Sequence, residues 1–278
     1  MEKALYLGNE AIARGAWEAG CMVVSSYPGT PSTEITEAVA AHYKDIKAEW
    51  ATNEKVAMEV AFGAAMAGAR AMTCMKHVGM NVAADPMFTA AYTGIRAGLV
   101  LVVADDPAMF SSQNEQDSRY YGRSAHIPVL EPSDSQECLD FVKLAFALSE
   151  EYDTPVIVRV TTRISHARSL VKLGGRTEQA LLAWEKEPSK YVMMPGYARK
   201  RHPVVEAREA KLAKDASEME INRVEMRDKS IGVVCGGVAY QYVREAAPEV
   251  STLKLGMTYP LPAELLRSFA MQVDEVIV

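Results

Sequence analysis

Leu99-Val100-Leu101-Val102-Val103 is an uninterrupted apolar run, and Ala104-Asp105-Asp106-Pro107 ends it abruptly. The run is short for a buried helix, and it lacks the alternation of a strand with one wet face. It reads as a strand covered on both sides, as in a parallel sheet flanked by helices. Three further runs share this character: Cys21–Ser25, Arg70–Met75 and Pro155–Val160. Between them, Pro31–Tyr43, Asn53–Ala67, Gly79–Tyr92 and Ser133–Ser149 carry apolar residues at helical spacing. Ser32 is placed to cap the first of these helices, Thr52 or Asn53 the second, and Ser133, with Gln136 three residues on, the fourth. Strand–helix alternation of this kind predicts an α/β fold built on a doubly wound parallel sheet.

Beyond residue 173 the pattern changes. From Arg199 to Lys229, charges of both signs alternate with Ala, Met and Leu, which fits a solvated helical linker along the outside of two domains. Ser230–Gly237 then opens a second strand–turn–helix unit. A strand at Ser251–Gly256, a helix at Ala263–Met271 and a strand at Glu275–Val278 continue it. The expected organisation is a first domain over 1–173, a charged, partly helical linker over 174–229, and an incomplete second α/β domain over 230–278. Asp274-Glu275-Val276-Ile277-Val278 reads as the opening of a buried strand, so the 278 residues are expected to be part of a longer polypeptide.

Composition narrows the function classes. With 49% hydrophobic and 24% charged residues the chain can bury a sizeable core, which excludes disorder as its dominant state. A net charge of −6 argues against nucleic acid as a partner. No window approaches the roughly 18 apolar residues of a membrane helix. Met1-Glu2-Lys3-Ala4-Leu5-Tyr6 lacks the basic start and long apolar stretch of a secretory signal, so a cytoplasmic location without membrane contact is expected. Cys21, Cys74, Cys138 and Cys235 are scattered, with no CxxC, so local ligands for zinc or an iron–sulfur cluster are missing and no metal site is expected here. Walker A, GxGxxG, HExxH and GxSxG motifs are absent, and Gly236-Gly237 reads as a tight turn.

Chemistry-bearing residues gather where strands end. Ser25–Glu34 places two prolines around Gly29-Thr30, which stiffens a loop on the sheet edge where open α/β folds bind ligands; a purely structural turn is the alternative. Glu54 falls in the first turn of an Ala- and Gly-rich helix, where the helix dipole favours an anion, and a simple capping carboxylate is its alternative. Lys76 and His77 stand together at a strand end running into a Gly-containing loop, suited to anion binding or proton transfer, or to a structural role. Asp105–Asp117, acidic and amide-rich, reads as a solvated surface loop. These loops follow successive strands and should converge on one edge.

Taken in order, Gly8-Asn9-Glu10-Ala11-Ile12-Ala13-Arg14-Gly15-Ala16, Tyr27-Pro28-Gly29-Thr30-Pro31-Ser32 and Asn53-Glu54-Lys55-Val56-Ala57 resemble the thiamine-diphosphate-dependent 2-oxoacid:ferredoxin oxidoreductases. Met75–Asn81, Ser111–Asp117 and Thr161–His166 narrow the resemblance to the large (alpha) subunits of the branch that oxidises indolepyruvate. It covers nearly the whole chain.

The resemblance implies that the first domain binds the aminopyrimidine ring of thiamine diphosphate and that the second is transketolase-C-terminal-like. It makes Glu54 catalytic, at the pyrimidine N1′. A carboxylic acid there favours the imino tautomer, whose nitrogen takes the thiazolium proton, and an apolar site would keep the acid's proton near neutral pH. Tyr27, Gly29, Thr30, Lys76, His77 and Asn81 are implied at the substrate, with Lys76 or His77 as carboxylate anchor or proton donor. Pro28, Thr30, Glu54, Gln113 and Asn114 are implied at the cofactor. Pyruvate-using members tend to carry Ile where Gly29 stands and an arginine where Asp105-Asp106 stand, so this chain suits a larger aryl pyruvate. The implied reaction is oxidative decarboxylation of indolepyruvate to acyl-CoA with reduction of ferredoxin. Mg2+ and [4Fe-4S] clusters are expected outside these residues, which lack the GDG motif that holds the metal and are expected to be inactive alone. A small beta subunit, ferredoxin and coenzyme A are the implied partners, in a dimer or hetero-oligomer. Pyruvate, branched-chain 2-oxoacids or 2-oxoglutarate are alternative substrates, and a non-catalytic assembly subunit is the alternative class.

Overall fold

The computed structural model describes residues 3–278; Met1 and Glu2, part of the stretch inspected for a secretory signal, lie outside them. In chain order the first part runs β1 (Lys3–Leu7), α1 (Gly8–Glu18), β2 (Val23–Ser26), α2 (Thr33–His42), β3 (Lys47–Trp50), α3 (Glu54–Met66), β4 (Ala71–Lys76), α4 (His77–Thr93) and β5 (Leu99–Asp105). Then follow α5 (Arg119–Ala125), β6 (Val129–Leu130), α6 (Ser135–Tyr152), β7 (Val156–Thr161), α7 (Thr162–His166) and β8 (Arg168–Lys172). The remainder is α8 (Pro188–Tyr191), α9 (Pro195–Asp215), β9 (Arg223–Glu225), β10 (Asp228–Gly236), α10 (Val238–Ala246), β11 (Val250–Leu255), β12 (Met257–Tyr259), α11 (Ala263–Ala270) and β13 (Glu275–Ile277).

The main sheet has the order β12-β6-β7-β5-β4-β2-β3 and is parallel apart from β12. Alternate residues of β5 explain why its sequence is apolar throughout. Val100, Val102 and Ala104 join a core with Ile12 of α1, Ile35 of α2 and Phe146 of α6. Leu99, Leu101 and Val103 join a second core with Met58 of α3 and Met80 and Met87 of α4. The sheet is therefore doubly wound, as the four apolar runs predict.

Several elements depart from the sequence reading. Strands β1, β3, β6, β8, β9 and β12 carry no long apolar run. β1 and β8 form an antiparallel ribbon, and Lys47-Ala48-Glu49-Trp50 is an edge strand held by pairing with β2 rather than by burial. Ser32 precedes α2 but does not cap it, because its hydroxyl donates to the Gly29 carbonyl at 2.8 Å. Asp134, not Ser133, caps α6 by accepting from the Glu137 N–H at 2.8 Å, while the Glu137 carboxylate accepts from the Ser133 N–H. Asn53 caps α3 through the Val56 N–H at 3.0 Å. Helix α4 starts at His77, so Lys76 and His77 sit at a direct strand-to-helix junction and not in a loop.

The second sheet has the order β13-β10-β11-β9 over a small core of Val234, Leu253, Leu255 and Phe269. It takes β9 from the stretch read as linker and returns β12 to the edge of the main sheet. Helix α9 lies against α4. Its Arg208 is buried and donates to the carbonyls of Asp153 at 2.8 Å and Ala91 at 2.9 Å.

At the carboxyl ends of the central strands lies a buried ion cluster. Arg159 of β7 donates through Nε to Asp105 at 2.7 Å and through Nη1 to Glu131 at 2.8 Å. Burial opposes the charge, but Glu131, Asp105 and Asp117 hold the guanidinium above the usual arginine range. Arg159→Met leaves the buried Asp105 without a cation and Glu131 with only Arg119, at 3.7 Å, and it is expected to cost about 3–5 kcal/mol in urea unfolding. Adding Asp105→Leu to that variant should recover part of the loss.

Candidate active site

The strand order places β2, β4, β5 and β7 side by side, so the segments following them meet along one edge. Helix α1 holds the first segment in place. The Asn9 side-chain amide donates to the Pro31 carbonyl at 2.7 Å and to Glu34 at 3.1 Å, and Thr33 Oγ1 accepts from the Gly29 N–H at 2.8 Å. Tyr27, Pro28 and Thr30 stand exposed on the rim, with Gly29 half-buried beneath. A Cβ on Gly29 would lie 3.1 Å from Lys76 Cγ and Cδ, so the missing side chain is what lets Lys76 lie across the loop. The Lys76 ammonium donates to the Ser111 carbonyl at 2.9 Å.

His77 is fully buried. Its Nε2 meets the Asn114 carbonyl at 3.0 Å, and since a carbonyl only accepts, Nε2 carries the proton. Nδ1 is buried without a partner among the described residues. The imidazole thus belongs to the floor under the 106–117 loop, and Lys76 is the basic group left facing the edge.

Glu54 is the first residue of α3 and is only 9% exposed. Its carboxyl packs on the first turn of α4, where a Cβ on Gly79 would fall 2.5 Å from Oε1 and 2.7 Å from Cγ. A side chain at position 79 would push the Glu54 carboxyl out of this place. The positive ends of two helices meet at this carboxyl, which suits a group that carries or shares negative charge. Among the described residues it has no hydrogen-bond or ion-pair partner. A nearly buried carboxyl in a glycine cradle, lacking a donor, fits the ring nitrogen of a heterocyclic cofactor. By contrast, among the described residues no group of three or more His, Cys, Asp or Glu could hold a metal ion.

The remaining expected site residues lie on α4 and in the loop after β5. Asn81 is a turn further along α4 and accepts from the Tyr121 hydroxyl of α5. Gln113 is exposed, and Asn114 contributes its carbonyl to His77 and its side-chain oxygen to Gln116 at 2.8 Å. Asp105 and Asp106 are not solvated, being 0% and 1% exposed. Asp106 accepts from the Ser111 N–H, the Ser112 hydroxyl and the Thr162 hydroxyl, each at 2.7 Å, and so pins the loop. Asn9, Asp106 and Ser111 are site-shaping residues that patterning alone did not single out. The acidic pair directly after a fully apolar strand was the available signal, because charges there are either at the surface or tightly bound.

Burial opposes the Asp106 charge, but the three donors outweigh it and hold its carboxyl below the usual aspartate range. A lowered folded value means the stabilisation is complete above about pH 4 and fades as pH falls through the folded value. Hydrogen-exchange protection of residues 106–117 should therefore drop on acidification below about pH 4, ahead of the β5 core, and Asp106→Asn should lose it at neutral pH.

A family model described as pyruvate flavodoxin/ferredoxin oxidoreductase, thiamine diphosphate-binding, matches residues 14–231. The indolepyruvate oxidoreductase subunit IorA of Archaeoglobus fulgidus is 47% identical over 289 residues, covering 100% of this chain and 46% of the relative. The same-named subunit of Thermococcus kodakarensis is 44% identical over 291 residues, covering 100% of this chain and 45% of its own length. The chain thus spans about half the length of these curated relatives. In fold it is similar to the 2-oxoglutarate:ferredoxin oxidoreductase of Magnetococcus marinus, a structure with 2-oxoglutarate, coenzyme A and succinyl-CoA bound (TM-score 0.78, 17% identity, 99% of this chain and 57% of that one). It is also similar to an inactive split-gene transketolase tetramer (TM-score 0.61, 15% identity, 97% and 76%). With most of its length matched, the chain belongs to the pyruvate flavodoxin/ferredoxin oxidoreductase family of thiamine diphosphate-binding domains.

Proposed function

We propose that this chain is the pyrimidine-binding portion of a cytoplasmic, thiamine-diphosphate-dependent oxidoreductase that converts indolepyruvate and other aryl pyruvates to acyl-CoA and reduces ferredoxin. The observation that carries this reading is the Glu54 carboxyl, nearly buried, cradled by Gly79 and without a partner among the described residues. Its similarity to IorA subunits supports the substrate class.

When bound, thiamine diphosphate supplies the nucleophilic carbon and the electron sink that 2-oxoacid decarboxylation requires. Glu54 holds a proton at the pyrimidine nitrogen. Tyr27, Pro28 and Thr30 line the approach, with the Thr30 hydroxyl available to the 2-oxoacid. Lys76 exchanges the neutral Ser111 carbonyl for the substrate carboxylate, a stronger, charge-assisted partner. Gly29 lets the Lys76 stem pack against the loop, which holds the ammonium at the strand edge. The diphosphate with its Mg2+, and the [4Fe-4S] clusters, belong to residues outside this chain. A small beta subunit, ferredoxin and coenzyme A are the partners, and the working assembly is a dimer or hetero-oligomer. In this reading residues 1–173 form the pyrimidine-binding domain, 174–229 the linker and 230–278 the start of a transketolase-C-terminal-like domain.

Glu54→Gln in the complete enzyme should lower kcat by about 100-fold or more while leaving thermal unfolding unchanged. Full activity in that variant would reduce Glu54 to a helix cap. Lys76→Met should raise KM for indolepyruvate by roughly 10- to 100-fold with a smaller effect on kcat, as steady-state ferredoxin reduction would record.

A further inference from the structure

Helix α7 is only five residues long, yet the two loops that carry Thr30 and the partner of Lys76 are both tied to it. β7 runs into it without an intervening turn, since Thr161 ends the strand and Thr162 begins the helix. Ile164, 3% exposed, joins the core that holds Ile12 of α1. Gly8, the first residue of α1, comes so close that a Cβ there would lie 2.1 Å from the Ile164 carbonyl oxygen and 3.3 Å from Ser165 Cα. The Gly8 N–H donates to the carbonyl of Ala167, just past α7, at 3.1 Å. Strand end, core and helix start hold α7 from three sides, and tight packing leaves it little room to shift.

Both loops take their position from this element. At its start the Thr162 hydroxyl donates to Asp106 at 2.7 Å, and Asp106 also binds the Ser111 N–H. Ser111 in turn gives its carbonyl to the Lys76 ammonium at 2.9 Å. On the other side α7 abuts Gly8, and the next residue, Asn9, is fully buried with its amide on the Pro31 carbonyl at 2.7 Å. Before Thr30, Gly29 donates to Thr33 and accepts from Ser32, both at 2.8 Å. Thr30 is therefore an exposed residue between two fixed neighbours. A further link, His166 Nε2 to Glu34 at 3.6 Å, joins side chains that are 40% and 42% exposed, so solvent screens it and it contributes little. Asn9 and Thr162 carry the connection.

We propose that α7 sets Lys76 and Thr30 at a fixed separation, with Thr162 and Asn9 as its positioning residues. This rests on the reading of Lys76 as holder of the substrate carboxylate and of Thr30 as partner of the 2-oxo group. Those two groups are adjacent on a 2-oxoacid, so their partners serve only when held in register. Lys76 and Thr30 stand on different segments, after β4 and after β2. The Lys76 stem packs on Gly29, but among the described residues no hydrogen bond joins the ammonium to that loop. Packing alone does not aim a flexible ammonium. The directional bonds from Thr162 through Asp106 and Ser111 do.

Steady-state ferredoxin reduction by the complete enzyme with indolepyruvate tests this, alongside thermal unfolding of each variant. Thr162→Val removes the hydroxyl and keeps the shape; it should raise KM about 5- to 10-fold with kcat changed by less than about 2-fold, and Thr162→Ser should restore KM. Thr162→Ala takes its place if the valine variant does not fold. In a Lys76→Met background Thr162→Val should raise KM no further, because the ammonium it positions is gone. Asn9→Ser should raise KM in the same way, and that effect should vanish in a Thr30→Val background. An unchanged KM in Thr162→Val, or equal increases with and without Lys76, overturns the proposal. Lowered thermal stability with KM unchanged does so too, and reduces α7 to packing. If Lys76→Met by itself leaves KM for indolepyruvate unaltered, the functional reading fails and the positioning role fails with it.

Discussion

The guanidinium of Arg159, held between Asp105 and Glu131, is the interaction on which the working edge of this molecule depends. It joins β7 to the end of β5 and to the segment just after β6, and it does so where charges would otherwise be stranded in an apolar interior. Each end of the cluster carries a second duty. Asp105 accepts from both the N–H and the hydroxyl of Ser118, which positions the start of α5. Glu131 accepts from the Thr258 hydroxyl at 2.7 Å, which brings β12 onto the main sheet. Burying such a group is costly unless every partner is present, and here each is supplied by a different stretch of chain. The cluster thus makes the loop, the sheet edge and the second unit mutually dependent.

The same logic extends one residue further. Asp106 points its carboxylate into the loop that follows it and shapes that loop by hydrogen bonds rather than by apolar packing. A loop built this way can present carbonyls, such as those of Ser111 and Asn114, to basic side chains beneath it. Lys76 and His77 are therefore tied to one loop by two different bonds, and they differ in access: Lys76 is half-buried and His77 is sealed. Glu54, on the neighbouring helix pair, is held by shape alone, through the absence of a side chain at Gly79.

The second unit is stitched to the first rather than hung from it. Lys254, 0% exposed on β11, pairs with Glu137 near the start of α6, and this partner, with the Ser133 donors, holds the Glu137 carboxyl below its usual range although burial opposes its charge. Asn222 accepts from the N–H groups of Gly256 and Met257, both at 2.9 Å, where the chain turns from the second sheet back to the main one. Helix α9 adds Arg208 to the carbonyls of Ala91 and Asp153. Buried charge pairs and shared strands of this kind oppose hinge motion between the two units, because opening would expose each charge without its partner.

Much of the fold was legible in the sequence because its determinants are local. Leu99–Val103 and the runs like it declare strands buried on both faces, and the helical spacing between them declares the helices. The glutamate opening α3 and the convergence of the strand-end loops followed from the same pattern. What patterning could not show were elements whose stability is borrowed from partners far along the chain. The polar strand Lys47–Trp50 exists because β2 pairs with it, and Met257–Tyr259 exists as a strand because β6 is there to receive it. Asp105 and Asp106 looked like solvent-facing acids, and only the approach of Arg159 and Thr162, more than fifty residues later, makes them interior. The sequence by itself determined the doubly wound architecture and the kinds of residue at its edge. The tertiary structure alone decided which of them are open to a ligand and which are bound into the frame, since hydrogen bonding and desolvation depend on neighbours that only folding brings together.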